Sequence, residues 1–101
     1  PLAAAMFELD DAAGAVRDAV LAQEQRWVGF LEGQVRSAVE LGHLRADTDA
    51  AQFVWELCGI YLSHHVASRF RRDADADARA AAALAALVAR HRPASPSEPR
   101  P

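Results

Sequence analysis

The feature that most constrains this chain is a long run without proline in which apolar residues recur at helical spacing. The run extends from Ala15 to Leu41. Its apolar residues are separated mainly by steps of three, four and seven: Val16, Val20, Trp27, Phe30, Leu31, Val35 and Val39. Such steps place the side chains on one stripe of a helix. We therefore predict a helix over 15–41, capped at its start by Asp10 or Asp11 and stopped by Gly42.

Three more helical segments are predicted from the same kind of pattern. Residues 2–9 form a short helix, or the end of one. A second long helix begins after Asp47 or Asp49, either of which can cap it, and runs to about Arg71. It is apolar nearly all round, so it needs cover on more than one side. A last helix over 75–91 begins at an acidic run, where the helix dipole favours negative charge.

These elements predict an all-α fold, an antiparallel bundle of about four helices joined by short links. We expect one domain over 1–92. From Pro93 the composition changes to proline, serine, glutamate and arginine, which predicts a disordered tail over 93–101. The helices over 49–71 and 75–91 together present more apolar surface than one partner helix covers. A second copy of the same two helices would cover it.

Charge and composition exclude several classes of function. The formal net charge is −3, and the only basic cluster is Arg69, Arg71 and Arg72. Gripping a DNA duplex requires several cationic groups that face phosphates, so we do not expect this chain to bind DNA by itself. The single cysteine, Cys58, cannot form an internal disulfide, and no apolar run reaches the ~20 residues of a membrane span. We expect a cytoplasmic protein. From the start at Pro1 without an initiator methionine, we expect that the chain is a fragment or that upstream residues are missing.

No arrangement of side chains points to catalysis, a metal or a cofactor. His64 and His65 are adjacent, so on a helix they point about 100° apart and do not share one ion easily. The acidic run 73–77 lacks the glycine and the glutamate that a calcium loop requires at its sixth and twelfth positions. Cys58 falls inside an apolar helix, where a thiol is usually inert. We therefore expect no enzyme.

One stretch resembles a known family. A long helix ends in the pattern A-x-x-x-G-x-L-R-x-D-x-D, and an apolar helix with aromatic residues, QFVWELCGIYLSHH, follows directly. The pattern is carried by Ala38, Gly42, Leu44, Arg45, Asp47 and Asp49. This order and spacing, over roughly residues 1–91, resembles the C-terminal regulatory domain of TetR-family transcriptional regulators.

The resemblance implies a homodimer in which the last two helices of each subunit form a four-helix interface. It also implies a small-molecule effector, apolar in character, bound inside each regulatory domain. Operator DNA would be bound only through an N-terminal helix-turn-helix head, which this sequence lacks. Effector binding would shift the spacing of two such heads and release the DNA, as in a repressor.

Two sets of candidate residues follow. Bulky side chains able to wall an effector pocket are Trp27, Phe30, Leu31, Leu57 and Tyr61. Side chains expected in the dimer interface are Trp55, Leu62, His65, Ala81, Leu84 and Val88. An aromatic stripe at helical spacing is also typical of an ordinary core, so a purely structural dimerisation module without a ligand stays open. A helical subunit of an enzyme, completed by another chain, is the remaining alternative.

Overall fold

The computed structural model describes residues 14–94, and this part of the chain is helical without strands. Helix α1 covers Ala15–Glu40 and α2 covers Ala50–His65, which continues into a π-helical turn, Val66–Phe70. Helix α3 covers Ala76–Arg90. The predicted all-α class is confirmed. The helix predicted over 2–9, the caps at Asp10 or Asp11 and residues 95–101 of the predicted tail lie outside the described residues.

The chain divides into two compact units, Pro1–Leu31 and Glu32–Pro101, so the boundary falls within α1. In the first unit α1 begins after Gly14, whose φ of +86° is a conformation that glycine adopts without strain. The backbone N–H of Asp18 donates to the carbonyl of Gly14 at 3.1 Å, which closes the first turn.

Gly42 ends α1, as the sequence predicted. Its φ is +79°, and its N–H donates to the carbonyl of Val39 at 3.0 Å. The N–H of His43 donates to the carbonyl of Ala38 at 2.9 Å. This pair of bonds is the Schellman motif, in which a left-handed residue just beyond the helix satisfies its last carbonyl groups.

Helix α2 begins where one of the two predicted caps lies and ends differently from the prediction. The side chain of Asp49 accepts a hydrogen bond from the N–H of Gln52 at 3.1 Å, so Asp49 is the N-cap. The α-helical part stops at His65, and the N–H of Arg71 donates to the carbonyl of Val66, five residues back. The prediction of one regular helix to about Arg71 therefore needs correction, because its last turn is widened by one residue.

Helices α2 and α3 run antiparallel. Glu56 near the start of α2 pairs with Arg90 at the end of α3, at 2.8 Å, whereas His64 at the end of α2 contacts Asp77 at the start of α3, at 2.7 Å.

Leu87 and Val54 are fully buried. Among residues 14–94, the buried apolar residues all belong to the unit Glu32–Pro101: Val35, Phe53, Val54, Ala67, Ala76 and Leu87.

His91, just beyond α3, connects three elements of this unit. Its carbonyl accepts the N–H of Arg45, in the link between α1 and α2, at 2.8 Å. Its ring Nδ1 donates to the carbonyl of Leu87 at 2.8 Å, and the ring meets Phe53 of α2 edge to face at 5.1 Å. The α1–α2 link is thereby fixed to the end of α3.

Candidate functional site

A groove follows the antiparallel pair of α2 and α3 along one side, with a volume of about 840 Å³. We call it the α2/α3 groove. Helix α2 and the π-helical turn contribute residues three or four apart, which is the spacing of one helical face. The residues that line the groove are Trp55, Glu56, Gly59, Ile60, Ser63, His64, Ala67, Arg71, Ala76, Arg79, Ala80, Ala83, Ala86 and Arg90.

Half of the residues that line the groove have small side chains. Gly59 and Ser63 lie one turn apart on α2, and Ala80, Ala83 and Ala86 lie on the facing side of α3. A Cβ atom added at Gly59 would meet nothing within 4 Å, so space is open above this part of α2. Alanine and glycine fill little volume, and a second helix can therefore approach this surface closely.

Trp55 lies at one end of the groove and is the largest apolar side chain along it. It is 76% exposed, while Ile60 on the same face is half-buried. Tryptophan buries more area than any other residue when it is covered, and exposed tryptophans are enriched at protein interfaces. The groove is thus an apolar surface that a further partner could cover.

Some charged groups along the groove are ion-paired and others are not. The carboxylate of Glu56 accepts a hydrogen bond from the Arg90 guanidinium, and this bond, with a smaller contribution from Gln52, holds the pKa of Glu56 below its usual range. Arg71 and Arg79, by contrast, form no side-chain ion pair within residues 14–94.

One of the six predicted interface residues lines the groove, namely Trp55. The others lie elsewhere on α2 and α3. Leu84 and Ala81 are exposed, and Leu62, His65 and Val88 are half-buried. The assignment of these five to an interface stays a prediction.

The predicted pocket residues fall in both units. In Pro1–Leu31, the rings of Trp27 and Phe30 stack at 5.9 Å with about half of each side chain exposed, and Leu31 is half-buried. In Glu32–Pro101, Leu57 is half-buried, whereas Tyr61 is exposed and stacks on His65 at 6.2 Å. None of the five lines the α2/α3 groove, and their role in effector binding stays a prediction.

Sequence reasoning did not identify the small residues as one surface; it named Arg71 only as part of a basic cluster and did not name Arg79. The sequence does contain a signal for the small residues. Gly59, Ser63 and Ala67 recur every fourth residue, as do Ala76 and Ala80 on the next helix. This spacing puts small side chains on one face of each helix. Nothing in the sequence shows which arginine lacks a partner, because that depends on the packing of the two helices.

Within residues 14–94 no group of three histidine, cysteine or acidic side chains is placed to hold a metal ion. The same part of the chain contains no helix long and apolar enough to cross a membrane.

A comparison with family models matches residues 1–84 to the tetracyclin repressor-like C-terminal domain. No curated protein and no solved structure matches the chain significantly. The match covers most of the chain and agrees with the all-helical fold and with the resemblance seen at the end of α1. The chain therefore belongs to the family of C-terminal domains of TetR-type regulators.

Proposed function

We propose that this chain is the effector-sensing and dimerisation domain of a TetR-type transcriptional repressor and that two copies associate through the α2/α3 groove. The observation that carries the proposal is the open groove itself, an apolar surface on the two helices that the family uses for association. An apolar effector bound by each regulatory domain would favour one arrangement of the helices over another. Operator DNA would be bound by a separate helix-turn-helix head.

The groove suits a second copy of the same chain. Two such pairs of helices, placed groove to groove, make a four-helix arrangement in which small residues allow close approach and each Trp55 gains cover. Obligate interfaces of this kind typically bury ~2,000 Å² or more and resemble a core divided in two. In an isologous dimer the same patch serves both partners, so one surface is sufficient.

The chief alternative is a structural dimerisation module with no ligand. The open shape of the groove favours this alternative, because an open groove can bind another chain but does not enclose a small molecule. The stacked pair Trp27 and Phe30, half exposed, supports the sensing function as a flat apolar wall. Thermal unfolding in the presence of a panel of apolar small molecules separates the two: a saturable rise in unfolding temperature supports sensing, and no rise with any compound supports the module.

Light scattering over a dilution series tests dimerisation. We expect a mass twice the 10.9 kDa of the chain. Ala83→Arg places a further guanidinium in the groove, which three arginines already line against one carboxylate, and this variant should be a monomer with unchanged helix content. Ala82→Arg is the matched control: it makes the same change on the same helix at an exposed residue that does not line the groove, so it should remain a dimer. A wild-type monomer, or equal behaviour of both variants, would contradict the proposed interface.

A further inference from the structure

The α2/α3 groove has a positive lining although the chain as a whole is acidic. Three arginines line it, Arg71, Arg79 and Arg90, against one carboxylate, that of Glu56. The formal net charge of the whole chain is −3. Since Arg90 is paired with Glu56, the excess positive charge of the groove belongs to Arg71 and Arg79.

Two of the three nearby carboxylates are engaged, and the third, that of Asp75, forms no ion pair with either arginine. Asp77 contacts His64 at 2.7 Å, and Asp73 accepts the N–H of Asp75 at 2.8 Å. Neither lies among the groove-lining residues. Within the described part of the chain, neither arginine forms an ion pair.

Association through this groove, which rests on the proposed function, changes the environment of these arginines. A second copy contributes the same excess of positive charge, so like charges approach each other while both lose water. An apolar interface tolerates such groups only when their charge is compensated. The missing charge is negative, and neither copy supplies it from its own groove.

We infer that the α2/α3 groove binds an oxyanion, a carboxylate or a phosphate, at Arg71 and Arg79, and that this binding stabilises the dimer. Guanidinium groups bind both kinds of oxyanion through paired hydrogen bonds. Ala67, Ala76 and Ala80 line the same groove. A carboxylate with an apolar body would therefore pair its charge with the arginines and pack its apolar part against the alanines.

Sedimentation equilibrium near the midpoint of dissociation tests the inference in three buffers of equal ionic strength. The first contains sodium chloride, the second sodium phosphate, and the third sodium chloride with octanoate. We expect phosphate or octanoate to lower the dimer Kd of the wild type by at least about fivefold, the effect of compensating one close charge. The double variant R71Q/R79Q should not respond. Arg69→Gln should respond as the wild type does, because Arg69 is exposed beside Arg71 but does not line the groove.

The outcomes are distinct. An effect of phosphate alone identifies a small inorganic ion, and a larger effect of octanoate identifies an amphipathic carboxylate; both support the inference if the double variant loses them. A wild-type dimer that responds to neither compound, or a double variant that responds equally, overturns the inference and leaves the proposed dimer intact. A wild type that is monomeric in all three buffers overturns the proposed dimer as well. Circular dichroism of the double variant, with R79Q alone as the milder change, establishes that the helices are retained.

Discussion

Glu56 shows how one side chain can be controlled by a residue far away in the chain. Its carboxylate accepts a 2.8 Å hydrogen bond from Arg90, 34 residues later, and a weaker one from Gln52 on its own helix. Helical spacing in the sequence identifies the second contact, because residues four apart lie on one face. It does not identify the first, which requires the antiparallel packing of α2 on α3. The sequence therefore shows a glutamate on a helix but not its lowered pKa.

The lowered pKa of Glu56 predicts how stability changes with acid. A carboxyl with a depressed pKa in the folded state stabilises the protein while it is ionised, and this contribution is lost as the pH falls below about 4.5, the ordinary pKa of glutamate. The variant Glu56→Gln should lack the loss of stability that protonation of Glu56 causes. Its free energy of unfolding should therefore vary less with pH below about 5 than that of the wild type. Urea unfolding at a series of pH values measures this. Glu40→Gln, an exposed glutamate without an ion pair in residues 14–94, should keep the wild-type profile.

At the scale of elements, some helix ends were predictable from sequence and one was not. Gly42 was predicted as the stop of α1, and Asp49 as one of two possible caps of α2, because each acts within a few residues of itself. The π-helical turn Val66–Phe70 could not, since apolar spacing does not separate a turn of four residues from one of five. Arg72, with φ of +51°, then adopts a conformation that sequence would assign to glycine.

Gly42 should be the least replaceable glycine of α1 and the link that follows it. In Gly42→Ala the side chain must adopt φ near +79°, which should lower the free energy of unfolding by about 1 kcal/mol or more. Gly33→Ala is the matched change in the interior of α1, where an added Cβ meets nothing within 4 Å, and it should raise the free energy of unfolding by roughly 0.5–1 kcal/mol. Urea titration of both variants measures the difference. A similar effect of both substitutions would contradict the assigned role of Gly42.

At the scale of the whole molecule, the fold class followed from periodicity, but the surfaces that meet did not. The sequence predicts that the long apolar helix needs cover on several sides and that Trp55 lies in a dimer interface; in the structure Trp55 is exposed along the α2/α3 groove, and its place in an interface stays a prediction. Which faces of α2 and α3 pack together depends on the angle between the helices, and sequence spacing does not give it. The groove and the arginines that line it could therefore be identified only from the packing of the two helices.

The core within residues 14–94 is small, so one large side chain should dominate the stability of the unit Glu32–Pro101. Leu87 is completely buried, and Leu87→Ala should lower the free energy of unfolding by about 2–5 kcal/mol, a large part of the ~5–15 kcal/mol typical of a domain. Leu84, on the same helix, is 42% exposed, and Leu84→Ala should lower it by less than about 1 kcal/mol. Both are measured by urea unfolding at one protein concentration. A loss at Leu84 as large as that at Leu87 would show that a partner covers this side chain in solution.

The connection at His91 has a consequence for where this domain ends. Similarity to the family model stops at residue 84, but Leu87, which closes the core, and His91, which holds the α1–α2 link, both come later. A chain shortened to the region of similarity would retain the recognisable sequence and lose the last turn of α3 that completes its packing. We therefore expect cooperative folding of this domain to require residues beyond the region of similarity, including those just after α3.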